Sequence, residues 1–172
     1  MSSWRVERLD VSAGQTVGRG CAVVDVTASL VADVDVDALY AVVDDLGSYP
    51  GWLDIVSRAE PVSAVGDEDA AWSVDLRAQV GPFRRSKRLR MVRTVRDTPT
   101  AVRFERREHD GRRHSDWILS AEIGVVDDRV PELRMRLHYG GNLWVPMLDR
   151  LLADEIERSR PRLLRYIEGN QR

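Results

Sequence analysis

Cysteine, histidine and long apolar runs are scarce in this chain of 172 residues, and each scarcity excludes a class of protein. Cys21 is the one cysteine, so the chain forms no internal disulfide, and we expect a reducing, cytoplasmic location. The histidines are His109, His114 and His138; none has a helical i, i+4 partner, so we predict no metal site. No apolar run approaches the about 18 residues of a membrane-spanning helix or resembles a signal-peptide core.

Loops that bind phosphate are missing as well. The glycines at 18–20 and 140–141 are too few to form a nucleotide-binding loop. Cys21 has no fixed base beside it in the sequence, which argues against a nucleophile, and the iron pattern of two histidines and a carboxylate is not visible. We therefore predict that the protein uses no cofactor.

Lysine is the rarest charged residue, because Lys87 is the one lysine among 26 basic residues and all others are arginine. The formal net charge is −2, but residues 84–113 hold twelve basic residues and four acidic ones. Such a block is either a nucleic-acid footprint or the solvent face of a β-hairpin. Its arginines alternate with apolar residues, which favours the hairpin, so a nucleic-acid partner is not expected. A toxin-like interaction module that uses this hairpin remains an alternative.

The residues that are present describe one globular domain, with 43% hydrophobic and 31% charged residues. Residues 1–20 show no period and are interpreted as an N-terminal arm, and the domain is predicted to span 21–168. Residues 21–32 are rich in β-branched residues and predict a strand. Helical spacing follows over 36–46, with Asp35 as N-cap and Gly47 as the stop.

Six further strand-like runs separated by turn signals follow this helix. In the last run, Leu133, Met135 and Leu137 alternate with arginines, which is typical of an antiparallel sheet with one dry face and one wet face. The runs cover residues 57–66, 71–80, 83–97, 101–110, 112–126 and 131–140. The sequence therefore predicts an α+β domain with about seven strands.

The C-terminal region predicts one long helix. An apolar stripe with helical period runs from Leu143 to Ile167. Pro146 fits the first turn of such a helix, whereas Pro161 lies inside the pattern and predicts a kink. A curved sheet could wrap its dry face around this helix.

These features together resemble a known superfamily. The stretch "VDALYAVVDDLGSYPGWLDIV" has an amphipathic helix, an acidic pair and a Tyr-Pro-x-Trp turn formed by Tyr49, Pro50 and Trp52. Together with the meander and the final helix, it is similar to the START-related (SRPBCC, or polyketide cyclase/dehydrase-like) helix-grip proteins. The resemblance covers about residues 21–168 and implies a curved antiparallel sheet around a long C-terminal helix, with two short helices after the first strand.

The resemblance also implies a hydrophobic cavity between the sheet and the last helix, with the Tyr-Pro-x-Trp turn near one end. Strand alternation and the helical stripe identify the side chains that would line it, although the same residues would also form a solid core. The predicted ligand-binding residues are Tyr49, Trp52, Trp72, Val74, Leu76, Trp117, Leu119, Met135, Leu137, Tyr139, Trp144, Met147, Leu148, Leu151 and Leu152.

Polar side chains on the dry face would indicate chemistry, because a buried charge is costly unless a partner or ligand compensates it. Alternation carries Arg93 inward with Leu89, Met91 and Val95, and it carries Arg106 inward as well. Aromatase/cyclases of the superfamily use an arginine and hydroxyl groups in the pocket, so Arg93, Arg106 and Tyr139 are the candidate catalytic residues. A strand end or a bulge would instead leave these arginines at the rim.

The leading hypothesis is a protein that binds or carries a hydrophobic small molecule, such as a lipid, isoprenoid or polyketide, with one arginine holding an anionic end. The enzymatic alternative is polyketide cyclase or dehydratase chemistry in the same cavity. The interaction module built on the arginine-rich hairpin is the third possibility.

Overall fold

The computed structural model of the protein describes residues 23–80, 83–126, 130–141 and 145–170. The N-terminal arm, residues 1–20, lies outside them, so the division at residue 21 stays a prediction. The described elements, in chain order, are β1 (Val23–Val31), α1 (Val36–Asp44), a 3₁₀ helix (Leu46–Gly51), β2 (Val56–Val62), β3 (Ala71–Val80), β4 (Phe83–Asp97), β5 (Ala101–Arg106), β6 (Asp116–Val126), β7 (Val130–Gly140) and α2 (Val145–Asn170).

The seven strands of the described residues form one antiparallel sheet in the order β1-β7-β6-β5-β4-β3-β2. Strands β2 to β7 therefore form a meander, and β1 is placed at its far edge beside the last strand. The pairing of β1 with β7 runs from Val23 opposite Gly140 to Val31 opposite Glu132. The curved sheet, two short helices and one long helix confirm the predicted α+β helix-grip architecture.

The chain between β1 and β2 forms two helices because two aspartates cap them in succession. Asp35 accepts a hydrogen bond of 2.8 Å from the amide of Ala38 and begins α1. Asp45 accepts one of 2.8 Å from the amide of Gly47 and begins the 3₁₀ helix. The predicted stop at Gly47 is thus wrong: α1 ends at Asp44, and Gly47 belongs to the next helix.

Helix α2 runs from Val145 to Asn170 and continues through Pro161, whose side chain is exposed. Its C-terminal half fixes the 3₁₀ helix closely. A Cβ added to Gly51 would overlap the ring of Tyr166, so a larger residue at this position would separate the two helices.

Strand β4 does not keep strict alternation to its end. Its register with β5 shifts between Arg93 and Val95, which is a β-bulge. Val95 is 43% exposed, so the prediction that it faces the core is wrong, because the bulge inserts one residue and reverses the faces. Arg93, before the bulge, keeps its inward orientation.

Candidate functional site

A cavity of about 130 Å³ lies between the dry face of the sheet, the 3₁₀ helix and α2. Most of its wall is aliphatic or aromatic. It is lined by Val26, Ala28, Ser29, Leu30, Leu46, Tyr49, Trp52, Leu53, Ile55, Val56, Val74, Leu76, Leu89, Met91, Trp117, Leu119, Leu133, Met135, Leu137, Glu155, Ser159, Arg160 and Leu163. The sheet thus leaves space here, where a solid core was the alternative.

The Tyr-Pro-x-Trp turn forms part of the cavity wall. Tyr49 and Trp52 are buried, and their ring centroids lie 4.7 Å apart. The Tyr49 hydroxyl donates to the carbonyl of Val43 at 3.1 Å, and the Trp52 indole donates to the Ser48 hydroxyl at 3.4 Å. Burial raises the pKa of Tyr49 well above its usual value, so it stays neutral. These polar atoms are used within the fold, and the ring surfaces line the cavity.

Eight of the fifteen predicted ligand-binding residues line this cavity: Tyr49, Trp52, Val74, Leu76, Trp117, Leu119, Met135 and Leu137. Trp72 and Tyr139 do not. Trp72 packs edge-on against Phe104 with centroids 5.5 Å apart, and Tyr139 packs against Trp117 at 4.9 Å. Trp144 lies outside the described residues, as do the side chains of Met147, Leu148, Leu151 and Leu152 within α2.

The charged part of the cavity wall comes from α2. Glu155 is buried, and its Oε1 accepts hydrogen bonds from the amides of Asp54 (2.6 Å) and Ile55 (3.3 Å). Arg162 also contacts Oε1 at 3.2 Å, and Arg158 contacts Oε2 at 3.3 Å. Its charge is therefore compensated, and the side chain attaches α2 to the turn before β2.

Arg160 is the one cation among the described residues that line the cavity. Its side chain is 13% exposed, and its ion-pair partner in the described part of the chain is Glu157, at 3.4 Å. Glu157 is 46% exposed, so water weakens this contact. The Nε atom of Arg160 is buried and has no hydrogen-bond partner among the described residues. The guanidinium thus keeps unused donor capacity beside an apolar cavity.

Arg93, a candidate from the sequence, lies beyond one end of the cavity and does not line it. It contacts Asp44 at 2.9 Å and Asp69 at 2.6 Å, and its guanidinium lies 5.7 Å from the centre of the Trp72 ring. Burial opposes its charge, but the hydrogen bonds and attraction of the two aspartates leave its pKa above the usual value. Arg93 therefore joins α1, the β2–β3 loop and β4.

Arg106 is likewise engaged outside the cavity lining. Its side chain is 8% exposed, and Nε contacts Glu108 at 2.8 Å. Its terminal nitrogen contacts Nδ1 of His114 at 3.0 Å, and Nε2 of His114 contacts Asp110 at 2.9 Å. These contacts connect the end of β5 with the loop that precedes β6.

The single lysine lies behind the aromatic end of the cavity. The Nζ atom of Lys87 is 5.6 Å from the centre of the Trp117 ring and 5.3 Å from that of Tyr139. Burial lowers the pKa of Lys87, and the nearby Arg106 lowers it further, while Glu108 acts in the opposite direction. The two rings thus hold a partly desolvated ammonium by cation–π contacts.

Sequence reasoning missed both Lys87 and Arg160, although each had a periodic signal. Lys87 precedes Leu89 and Met91 at strand spacing and so belongs to the dry face. Arg160 follows Ile156 by four residues and precedes Leu163 by three, so it occupies a position within the apolar stripe. In α2, as in the strands, a charged residue at a position of the apolar face is the sequence pattern that identifies such a side chain.

The arginines of the basic block are largely paired with carboxylates. Arg88 pairs with Asp75 at 2.6 Å, and Arg90 pairs with Glu68 at 2.7 Å. This pairing reduces the positive potential that a nucleic-acid surface needs. In the described residues, no group of three metal-ligating side chains converges and no helix is long and apolar enough to cross a bilayer.

Comparisons with known proteins identify the fold. No protein-family model and no curated protein matches the sequence. Solved structures do match, including a START superfamily protein from Mycobacterium smegmatis, at 16% identity and a TM-score of 0.60 over 85% of this chain and 95% of that one. The chain has the helix-grip fold.

Two further helix-grip structures show how varied the proteins with this fold are. The Zhui aromatase/cyclase from a Streptomyces species is 14% identical, with a TM-score of 0.54 over 86% of this chain and 93% of that one. The major latex-like protein 151 from Panax ginseng is 10% identical, with a TM-score of 0.58 over 86% and 97%. At these identities the likeness extends to the fold alone, so function has to be argued from the cavity.

Proposed function

We propose that the protein binds a hydrophobic small molecule in the cavity beneath α2. The observation that carries this proposal is a cavity beneath α2 whose lining is almost wholly apolar. Protein interiors normally leave few voids larger than a water molecule. A retained cavity lined by Leu89, Met135 and Trp117 favours an apolar occupant over water, because water there would find few polar partners.

The volume of the cavity limits the ligand. A cavity of about 130 Å³ is close to the ~150 Å³ of an engineered cavity that stays dry and binds benzene. Drug-sized ligands occupy pockets of roughly 300–1,000 Å³. We therefore expect a single aromatic ring or a short alkyl chain in this conformation, and a whole lipid or polyketide only if α2 moves outward.

Binding fits the contacts better than cyclase catalysis. The three side chains that sequence reasoning selected for catalysis, Arg93, Arg106 and Tyr139, do not line the cavity. Arg93 and Arg106 are each held by carboxylates within 3 Å. A group that acts on substrate has to reach it, so the same contacts that stabilise the fold argue against a catalytic role for these arginines.

Fluorine NMR of fluorobenzene tests this proposal. The wild-type protein is expected to shift and broaden the fluorine signal, and native mass spectrometry of gently purified protein reports any ligand retained from the cell. Ala28→Leu adds three carbons to the cavity wall and is expected to weaken fluorobenzene binding at least tenfold. Ala64→Leu, in the exposed loop after β2, is the matched control and is expected to leave binding unchanged.

Two results would contradict the proposal. One is a wild-type protein that leaves the fluorobenzene signal unchanged and carries no retained ligand. The other is equal binding by wild type and Ala28→Leu, which would locate the ligand on the surface.

A further inference from the structure

We infer that Arg160 binds the anionic group of the ligand, so that the cavity selects small organic acids with an apolar body. This inference rests on the proposed function and adds the charge of the ligand to it. It concerns a side chain on α2 that the sequence pattern did not single out.

The guanidinium of Arg160 is only partly engaged by the described residues. This guanidinium presents five N–H donors in a fixed plane. Its described ion pair, with the half-exposed Glu157 at 3.4 Å, is long for a charge-assisted hydrogen bond. Its Nε–H is buried without an acceptor. The terminal nitrogens, held among the described residues by that one long contact, are the donors that an anionic ligand would engage.

The other buried arginines have closer carboxylate partners than Arg160 has. Arg93 has Asp44 and Asp69 as partners, and Arg106 has Glu108. Those arginines lie outside the cavity lining, whereas Arg160 lies in it. Arg103 and Arg162 also have a buried Nε without a hydrogen-bond partner among the described residues, but Arg103 pairs with Glu105 at 2.9 Å and Arg162 pairs with both Asp54 and Glu155. Of these five arginines, Arg160 has the longest single ion pair and is the one that lines the cavity.

The sign of the charge at the cavity wall also bears on the ligand. Glu155 also lines the cavity and would repel an anion if it were free. Its oxygens are held by two backbone amides and by Arg158 and Arg162, so the attraction of these cations compensates its charge. The least compensated charge at this wall is the positive one on Arg160, whose described partner Glu157 is half exposed.

The ligand class follows from charge and volume together. A carboxylate can accept two parallel hydrogen bonds from a guanidinium, which fixes its orientation. The cavity, of about 130 Å³ in all, accommodates one ring or a short chain. An aryl or short-chain carboxylic acid, ionised at neutral pH, combines both features.

Isothermal titration calorimetry with phenylacetate and phenylacetamide tests the inference. The two probes have the same shape and differ in charge. Wild-type protein is expected to bind phenylacetate about tenfold more tightly, as one charge-assisted bidentate contact provides. Arg160→Met is expected to abolish this preference and to leave phenylacetamide binding nearly unchanged.

Two further variants serve as controls. Arg165→Met removes an exposed arginine of the same helix and is expected to keep the full preference. Arg160→Lys keeps a positive charge without the planar donors and is expected to keep part of it, and it replaces Arg160→Met if that variant unfolds.

The outcomes separate this inference from the proposed function. If wild type binds both probes equally, or if Arg160→Met keeps the preference, the inference is wrong while the cavity remains a ligand site. If neither these probes nor fluorobenzene binds, both are wrong.

Discussion

The two ends of the dry face differ in how fully the protein compensates the charge of a buried arginine. At the end beside α1, Arg93 is bound by Asp44 and Asp69, and the space around it is filled by Trp72 and Phe104. Beneath the middle of α2, Arg160 has one long ion pair and borders the cavity. A buried charge with close partners stabilises the fold, whereas a buried charge with unused donors beside a cavity indicates a ligand site.

The largest effect is expected from breaking the closed end. Arg93→Met leaves the buried Asp44 with Arg96, whose side chain is 53% exposed, as its remaining ion-pair partner in the described residues. We expect the free energy of unfolding to fall by about 3 kcal/mol, since an uncompensated buried charge remains. Urea denaturation measures this change.

Arg88→Met is the matched control for that variant. Arg88 lies on the same strand, is 69% exposed and pairs with Asp75. Its loss should change the free energy of unfolding by less than about 1 kcal/mol. If both variants lose the same free energy of unfolding, the contacts of Arg93 stabilise the protein no more than an exposed ion pair does. That result would contradict the difference between the two ends.

A smaller effect is expected when the same substitution, valine to alanine, is made beside the cavity and away from it. Val102 and Val74 are both buried strand valines, but only Val74 borders the cavity. Val102→Ala should destabilise by about 2 kcal/mol and Val74→Ala by about 1 kcal/mol, because side chains at a void already lack part of their contacts.

Binding sharpens the same comparison between the valines. Val74→Ala should alter the affinity for fluorobenzene, and Val102→Ala should not, when both are measured by fluorine NMR. The opposite ranking in stability, with no difference in affinity, would mean that the cavity closes in solution.

A pH dependence is also expected at the closed end. A bidentate hydrogen bond from Arg90, which outweighs the opposing effect of burial, lowers the pKa of Glu68 from 4.5 to about 2. A carboxylate with a depressed folded-state pKa stabilises the protein above its unfolded pKa, and this contribution is lost as the pH falls. Wild type should therefore lose stability between pH 4.5 and about 2.

Glu68→Gln isolates this contribution. In urea denaturation the difference between wild type and Glu68→Gln should be largest near pH 6 and should shrink toward pH 2.5. A difference that stays constant over this range would show that ionisation of Glu68 does not contribute.

The sequence predicted the fold well because each element carries a local signal. The structure keeps the alternation in β3, in β7 and in β4 before its bulge, together with the cap at Asp35 and the long helix α2. The bulge after Arg93 was not predictable, since it depends on how β4 and β5 pair and not on either strand alone.

The cavity was predictable only in part. Strand alternation identifies the side chains on the dry face of the sheet. It does not tell a residue that lines the cavity, such as Val74, from one that packs in the core, such as Trp72. The partners of a charge come from distant segments: Arg93 meets Asp44 from α1, 49 positions earlier in the chain. The sequence does place Arg160 within an apolar stripe, but only the structure shows that its Nε has no acceptor among the described residues.

The most direct test of the central claim is a methyl NMR titration of the whole chain with phenylacetate. The methyl groups of Met91 and Met135, which line the cavity, should shift and show contacts to the ring protons, while those of Leu39 and Val43 at the closed end should stay unchanged. Shifts confined to the closed end, or no shifts at any of these methyl groups, would contradict the account.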